Sequence, residues 1–111
     1  LDLARAAANL LETKKGEDIV LIDIHDISDF ADYFVICSGT SDRMLKALAD
    51  ELIEKASKEL HVGVRVEGES EAGWILVDIG NVIVHLFSPD RRDYYRLEDL
   101  WSKGRVLLRL Q

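Results

Sequence analysis

A chain of 111 residues with 48% hydrophobic content is long enough to bury one real core and too short for two, so a single domain over 1–111 is expected. Its 14 Lys and Arg stand against 21 Asp and Glu, and the formal net charge of -7 argues against direct attachment to nucleic acid or to an anionic membrane. A basic or neutral protein partner fits that balance.

The opening Leu1-Asp2-Leu3-Ala4-Arg5 lacks the basic start and apolar block of a signal peptide, and no apolar run reaches the length of a membrane span. A cytoplasmic location is expected; with no Met at the start, an organellar one after removal of a transit peptide stays open. Leu3, Ala6, Ala7, Leu10 and Leu11 recur at helical spacing, and Lys14-Lys15-Gly16 supplies cations and then a stop, which predicts a first helix to about Lys15. The nearly continuous apolar run from Asp18 to Ile24 predicts a strand buried on both faces. Asp23, Asp26, Asp29 and Asp32 follow at a spacing of three. They lack the alternate-residue pattern and closing Glu of a calcium loop, and read as a solvated turn with capping aspartates. Tyr33 to Cys37 is a second strand. Its lone cysteine cannot make an internal disulfide and reads as a buried thiol in a reducing compartment.

Ser38-Gly39-Thr40-Ser41-Asp42 then leads into a long helix that Thr40 or Ser41 can cap. Leu45, Leu48, Ala49, Leu52, Ile53, Ala56 and Leu60 form its apolar stripe, and Lys46, Asp50, Glu51, Glu54, Lys55 and Lys58 form a solvated opposite face. Val62-Gly63-Val64-Arg65-Val66 alternates as a half-exposed edge strand does, and Glu67-Gly68-Glu69-Ser70-Glu71 reads as an acidic loop. From Gly73 to Phe87 two apolar runs meet at Gly80-Asn81, the pattern of a β-hairpin whose turn needs a positive φ. If Ile79 lies opposite Val82, then Ile75, Val77, Ile79, Val82, Val84 and Leu86 share a wholly apolar face. Trp74, Leu76, Asp78, Ile83, His85 and Phe87 share the other, whose polar handles suit a half-covered or partner-facing surface. Ser88-Pro89 begins a last short helix with Tyr94, Leu97 and Trp101 on one side, and residues from about 103 to 111 form a tail that pairs with a strand edge or frays. The order α-β-β-α-β-β-β-α predicts an α+β (mixed α/β) domain around a five-stranded mixed sheet with flanking helices.

Little in the chain assembles into catalytic chemistry. Ser38-Gly39-Thr40-Ser41 stands where backbone N–H groups bind phosphate at a helix start, yet a lone Gly with hydroxyls is more often an ordinary cap, and no Walker lysine follows. The arrangement is similar to the nucleotidyltransferase fold. That chemistry needs paired carboxylates on the next strand, where Val62-Gly63-Val64-Arg65-Val66 offers none. His25, His61 and His85 have no zinc spacing, and neither a Ser-His-Asp signature nor a nucleophile elbow occurs. No enzyme, cofactor or metal is therefore expected; the alternative is a nucleotide-binding or nucleotidyltransferase-type enzyme using the Ser38–Thr40 turn.

Four blocks in order carry a family resemblance: Ala31-Asp32-Tyr33-Phe34-Val35-Ile36-Cys37-Ser38-Gly39-Thr40-Ser41, Glu67-Gly68, Gly73 to Gly80 with Val82-Ile83-Val84-His85, and Tyr95-Arg96-Leu97-Glu98-Asp99-Leu100-Trp101. Over essentially its whole length the chain resembles the ribosomal silencing factor family, also called Iojap-like. The resemblance implies a nucleotidyltransferase-like fold without catalysis. It further implies binding to large-subunit ribosomal protein fourteen on the intersubunit face, which keeps the small subunit from joining and lowers translation when nutrients are scarce. Mitochondrial and plastid members act in large-subunit assembly. Family binding positions carry over to Trp74 and Ile79, with Asp78, Gly80 and Asn81 at the hairpin end and Glu67 and Glu69 complementing a basic partner. Alternation sets Trp74 and Ile79 on opposite faces, so either the strand bulges or Ile79 reaches round the tip. Two positions depart from the family: Asn81 where Asp is usual, and Met44 where His is common. Exposed apolar hairpin surface also allows homodimer formation off the ribosome.

Overall fold

The computed structural model describes residues 1–100 and 103–110. The apolar spacing near the start forms α1 at Asp2–Thr13, which buries Ala4, Ala7, Ala8 and Leu11. It stops short of the expected Lys15 because Lys15 turns into the left-handed region at φ 75° while Gly16 donates to the Leu11 carbonyl. Gly16 is required there, since a Cβ would run into the Cys37 thiol. The chain continues as β1 Glu17–Asp23, β2 Tyr33–Ser38, α2 Asp42–Lys58, β3 Val64–Glu69, β4 Trp74–Ile79, β5 Val82–Phe87, α3 Pro89–Tyr95, α4 Leu97–Leu100 and β6 Arg105–Leu110.

The sheet is mixed, as expected, and has six strands rather than five, in the order β3-β4-β5-β2-β1-β6. The additional strand is the C-terminal tail. β1 is buried on both faces, so its free backbone edge needs a partner, and β6 supplies one antiparallel with Leu21 opposite Leu108 and a register slip before Ile22. β2 and β5 are the one parallel pair among these strands. The segment read as an acidic loop is half strand: Glu67 and Glu69 belong to β3, and only Ser70–Ala72 make a single 3-10 turn, closed by Gly73 at φ 77°. The last helix is broken in two at Arg96, whose φ of 48° reverses the chain, and Tyr95 with Leu97, not Tyr94, packs on the sheet. Tyr94 is 74% exposed, and Trp101 lies outside the described residues.

Both sheet faces are apolar, with different covers. Ile75, Val77, Ile79, Val82, Val84 and Leu86 join β1 and β2 side chains under α1 and α2 in the main core. Across the sheet, Val20, Ile22, Phe34, Ile36, Ile83 and Phe87 belong to a second cluster against which, among the described residues, Trp74, Leu76, Tyr95 and Leu97 pack.

Candidate functional site

The outer face of β3, β4 and β5 is built by strict alternation. Ile79 lies opposite Val82 as expected, and the register runs unbroken from Trp74–Phe87 to Ile79–Val82. Trp74, Leu76 and Asp78 therefore point outward, with Phe87, His85 and Ile83 across from them on β5 and Glu69, Glu67 and Arg65 across on β3. Glu67, Glu69 and Arg65 are exposed, and Trp74, Leu76 and Asp78 are half-buried. Arg65 reaches to 3.7 Å from the Asp78 carboxylate, an exposed pair of small energetic weight.

The site residues expected from the sequence do not all gather here. Ile79 is only 2% exposed and belongs to the helix-covered core; β4 has no bulge, and the side chain does not reach round the tip. The alternation that makes the strand also removes Ile79 from the surface. Gly80 and Asn81 are exposed at the turn, roughly 20 Å along the strand from Trp74 at the usual rise per residue. Asn81 has a structural duty there: its side-chain amide donates to the Asp32 carboxylate at 2.8 Å, and its carbonyl accepts from the Asp32 and Tyr33 amides. It pins the hairpin tip to the start of β2. Trp74, Glu67 and Glu69 do share one surface, with Asp78 at its far end.

An aromatic row crosses this face, and only part of it was visible in the hairpin sequence. Phe30 and Phe34 have ring centroids 6.1 Å apart, Phe34 meets His85 edge-on at 4.8 Å, and His85 stacks on Trp74 at 6.0 Å. Trp74 continues to Phe87 at 5.4 Å and to Tyr95 at 4.8 Å, and Tyr95 to Tyr94 at 5.0 Å. Among the described residues the row runs from Phe30 to Tyr94, which are 61% and 74% exposed. At its middle His85 is buried, which pushes its pKa down to about 4 and keeps the imidazole neutral. Trp74 Nε1–H donates to His85 Nδ1 at 3.3 Å.

The Ser38–Ser41 turn is already occupied by protein groups. Ser41 caps α2 by accepting from the Met44 amide at 3.1 Å, and the Thr40 amide and hydroxyl point at the Met44 thioether. Ser38 Oγ accepts from Arg92, whose side chain is 10% exposed and which also donates to the Asp18 carbonyl and pairs with Glu98 at 3.2 Å. The cavity beside them, of about 480 Å³, places Arg92, Arg96 and Arg109 among Glu17, Asp18, Asp93, Glu98 and Asp99, so its cations are matched by carboxylates. Among the described residues no group of three or more His, Cys, Asp or Glu is placed to hold a metal ion. Of the spaced aspartates, Asp23 and Asp26 bracket His25, and the Asp23 hydrogen bond raises the His25 pKa while His25 lowers that of Asp23. Burial pushes the Cys37 thiol up to about 12, which leaves it protonated and inert.

Fold and surface together define a mixed-sheet α+β domain that presents an aromatic sheet face edged by carboxylates. Sequence comparison places that class in a family: the model described as ribosomal silencing factor during starvation matches residues 1–109, and the chain belongs to this ribosomal silencing factor family. A Bacillus subtilis ribosomal silencing factor is 43% identical over 100 residues, covering 90% of this chain and 85% of the relative. A mouse protein named for mitochondrial assembly of the ribosomal large subunit is 38% identical over 98 residues, 85% of this chain and 42% of its own. Among solved structures, a Chromobacterium violaceum protein superposes with a TM-score of 0.85 at 36% identity over 91% of this chain and 84% of that one. A Bacillus halodurans protein gives 0.79 at 40% identity over 90% and 93%.

Proposed function

We propose that this protein binds the large ribosomal subunit through a ribosomal protein, large-subunit protein fourteen on the intersubunit face, and thereby prevents the small subunit from joining. The observation that carries the reading is the outer face of β3–β5, where a half-exposed tryptophan and Leu76 stand beside Glu67 and Glu69 in a member of the silencing factor family. A large aromatic in a carboxylate-edged setting is the usual composition of a protein-binding hot spot aimed at a basic surface. The same binding serves translation repression or large-subunit assembly, in keeping with relatives named as a ribosomal silencing factor and for mitochondrial assembly of the ribosomal large subunit. Contact with the ribosome is through protein rather than RNA, in keeping with the net charge of -7. No catalysis is part of this reading, because the two β3 carboxylates, Glu67 and Glu69, are exposed and stand three strands across the sheet from the Ser38 turn, whose Ser38 hydroxyl is held by Arg92.

Cosedimentation with isolated large subunits, followed by addition of small subunits, tests it. The protein is expected in the large-subunit fraction and is expected to suppress whole-ribosome formation. Failure to cosediment, or undiminished joining at saturating protein, counts against the proposal. A pull-down with isolated protein fourteen then tests the named partner alone.

A further inference from the structure

We infer that His85 is a positioning residue for Trp74: by accepting the indole N–H, its buried imidazole sets the angle at which the tryptophan meets a partner on the outer sheet face. The inference rests on the docking role of that face. Tryptophan can only donate, so the 3.3 Å contact from Trp74 Nε1 to His85 Nδ1 assigns the imidazole proton to Nε2. His85 is 5% exposed, and among the described residues its Nε2 has no hydrogen-bond partner. A buried N–H without an acceptor is a standing cost to the fold. Packing alone does not call for that cost. Phe34 and Phe87 flank His85 in the same aromatic row, and a third phenylalanine would continue the row with no polar atom to satisfy. What imidazole supplies beyond a phenyl ring is one acceptor, and that acceptor is used by Trp74.

The other ring contacts of the indole among the described residues are less directional than a hydrogen bond. Its ring lies at 22° to Phe87 and 44° to Tyr95, both apolar faces along which a flat ring can turn. The hydrogen bond to His85, with the two rings 26° apart, selects one of those orientations. A half-exposed side chain held in its bound orientation loses less freedom when a partner arrives, which appears as affinity.

The test compares His85→Phe, His85→Asn and Trp74→Ala for binding to isolated large subunits, with the Trp74 indole N–H followed by NMR in a Trp101→Phe background. Asparagine keeps an acceptor near the Nδ1 position; phenylalanine does not. His85→Phe is expected to melt no lower than the parent, to show faster solvent exchange of the indole N–H, and to bind about fivefold more weakly, the order expected from freeing one side chain. His85→Asn is expected to restore slow exchange and to bind within about twofold of the parent once measured well below its melting temperature. If phenylalanine does not fit, His85→Leu takes its place. Parental binding by His85→Phe or His85→Leu alongside weak binding by Trp74→Ala overturns the positioning role and leaves the docking face standing, as does equal loss in the Phe and Asn variants. Parental binding by Trp74→Ala overturns both.

Discussion

Trp74 and Ile79 sit on one strand with their side chains on opposite faces, and truncating them has different consequences. Ile79 is 2% exposed in the main core, so Ile79→Ala is expected to cost about 2–4 kcal/mol of stability and to leave the affinity of the remaining folded protein unchanged. Trp74→Ala is expected to weaken large-subunit binding roughly thirty-fold, the equivalent of a 2 kcal/mol hot spot, with a smaller loss of stability because the indole is half-buried. Melting and binding measured on both variants check this; a binding defect in folded Ile79→Ala equal to that of Trp74→Ala would contradict the division of faces. His85 carries a pH signature of its own. The unfolded chain takes up its proton near pH 6.5 and the folded chain only near 4, so stability is full above about 6.5 and falls as the pH drops towards 4, by at most about 3 kcal/mol. His25 has the opposite sign: its raised pKa contributes stability below about 6.5 that is lost as pH rises through the folded value. Subtracting the melting profile of His85→Phe from that of the parent between pH 7 and about 4 isolates the buried ring, and a flat difference would show that burial does not hold it neutral.

Among the elements, the β4–β5 hairpin was fully legible because everything that specifies it is local: two alternating apolar runs and a glycine at the turn, found at φ 60°. β6 was legible only as one of two readings of the tail, a strand added to an edge or a frayed end, since six residues of mixed character reveal their pairing only through the need of β1 for a second neighbour more than eighty positions away. The break between α3 and α4 also had no local signal, because the residue in the left-handed region is Arg96 rather than Gly or Asn. For the site, hairpin alternation located Trp74, Leu76, Asp78 and His85, whereas Phe30 and Tyr94 join the same row only through the tertiary fold. The hairpin tip offers a test at this scale. Asn81→Asp would bring a second carboxylate to within hydrogen-bonding distance of Asp32, turning an attraction into an exposed like-charge contact. A loss of about 1 kcal/mol, or a melting temperature lower by roughly 4–8 °C and partly recovered at high salt, is expected. An unchanged melting temperature would show that the tip is held by the backbone bonds of Asn81 alone.

At the scale of the whole molecule, the net charge of -7 and the exposed Glu67, Glu69 and Glu71, in and just after the edge strand β3, are expected to act on encounter more than on the bound state. Exposed carboxylates attract a basic protein surface over about 10 Å at 0.1 M salt and are screened beyond it. Association with large subunits is expected to slow as salt rises, and joint neutralisation of the three glutamates to glutamine is expected to reduce both the rate and its salt dependence. Stopped-flow association rates check this. A parent rate indifferent to salt, or a triple variant matching the parent, would remove the electrostatic role.

The parallel seam between β2 and β5 divides the sheet into two antiparallel halves with different histories in time. The meander β3–β4–β5 is contiguous, from Val64 to Phe87, whereas the half containing β1 and β2 is completed only when β6 returns from the far end of the chain. Pairings between sequence neighbours close short loops and form early; a strand that must find a partner at the other terminus forms late. We expect pulse-labelled hydrogen exchange during refolding to protect β4 and β5 amides before those of β6, and simultaneous protection would argue against this order. Trp74, Leu76, Glu67 and Glu69 all lie within the early half. On that order the proposed recognition surface forms before β6 docks, and β6 closes the opposite edge of the sheet without touching it.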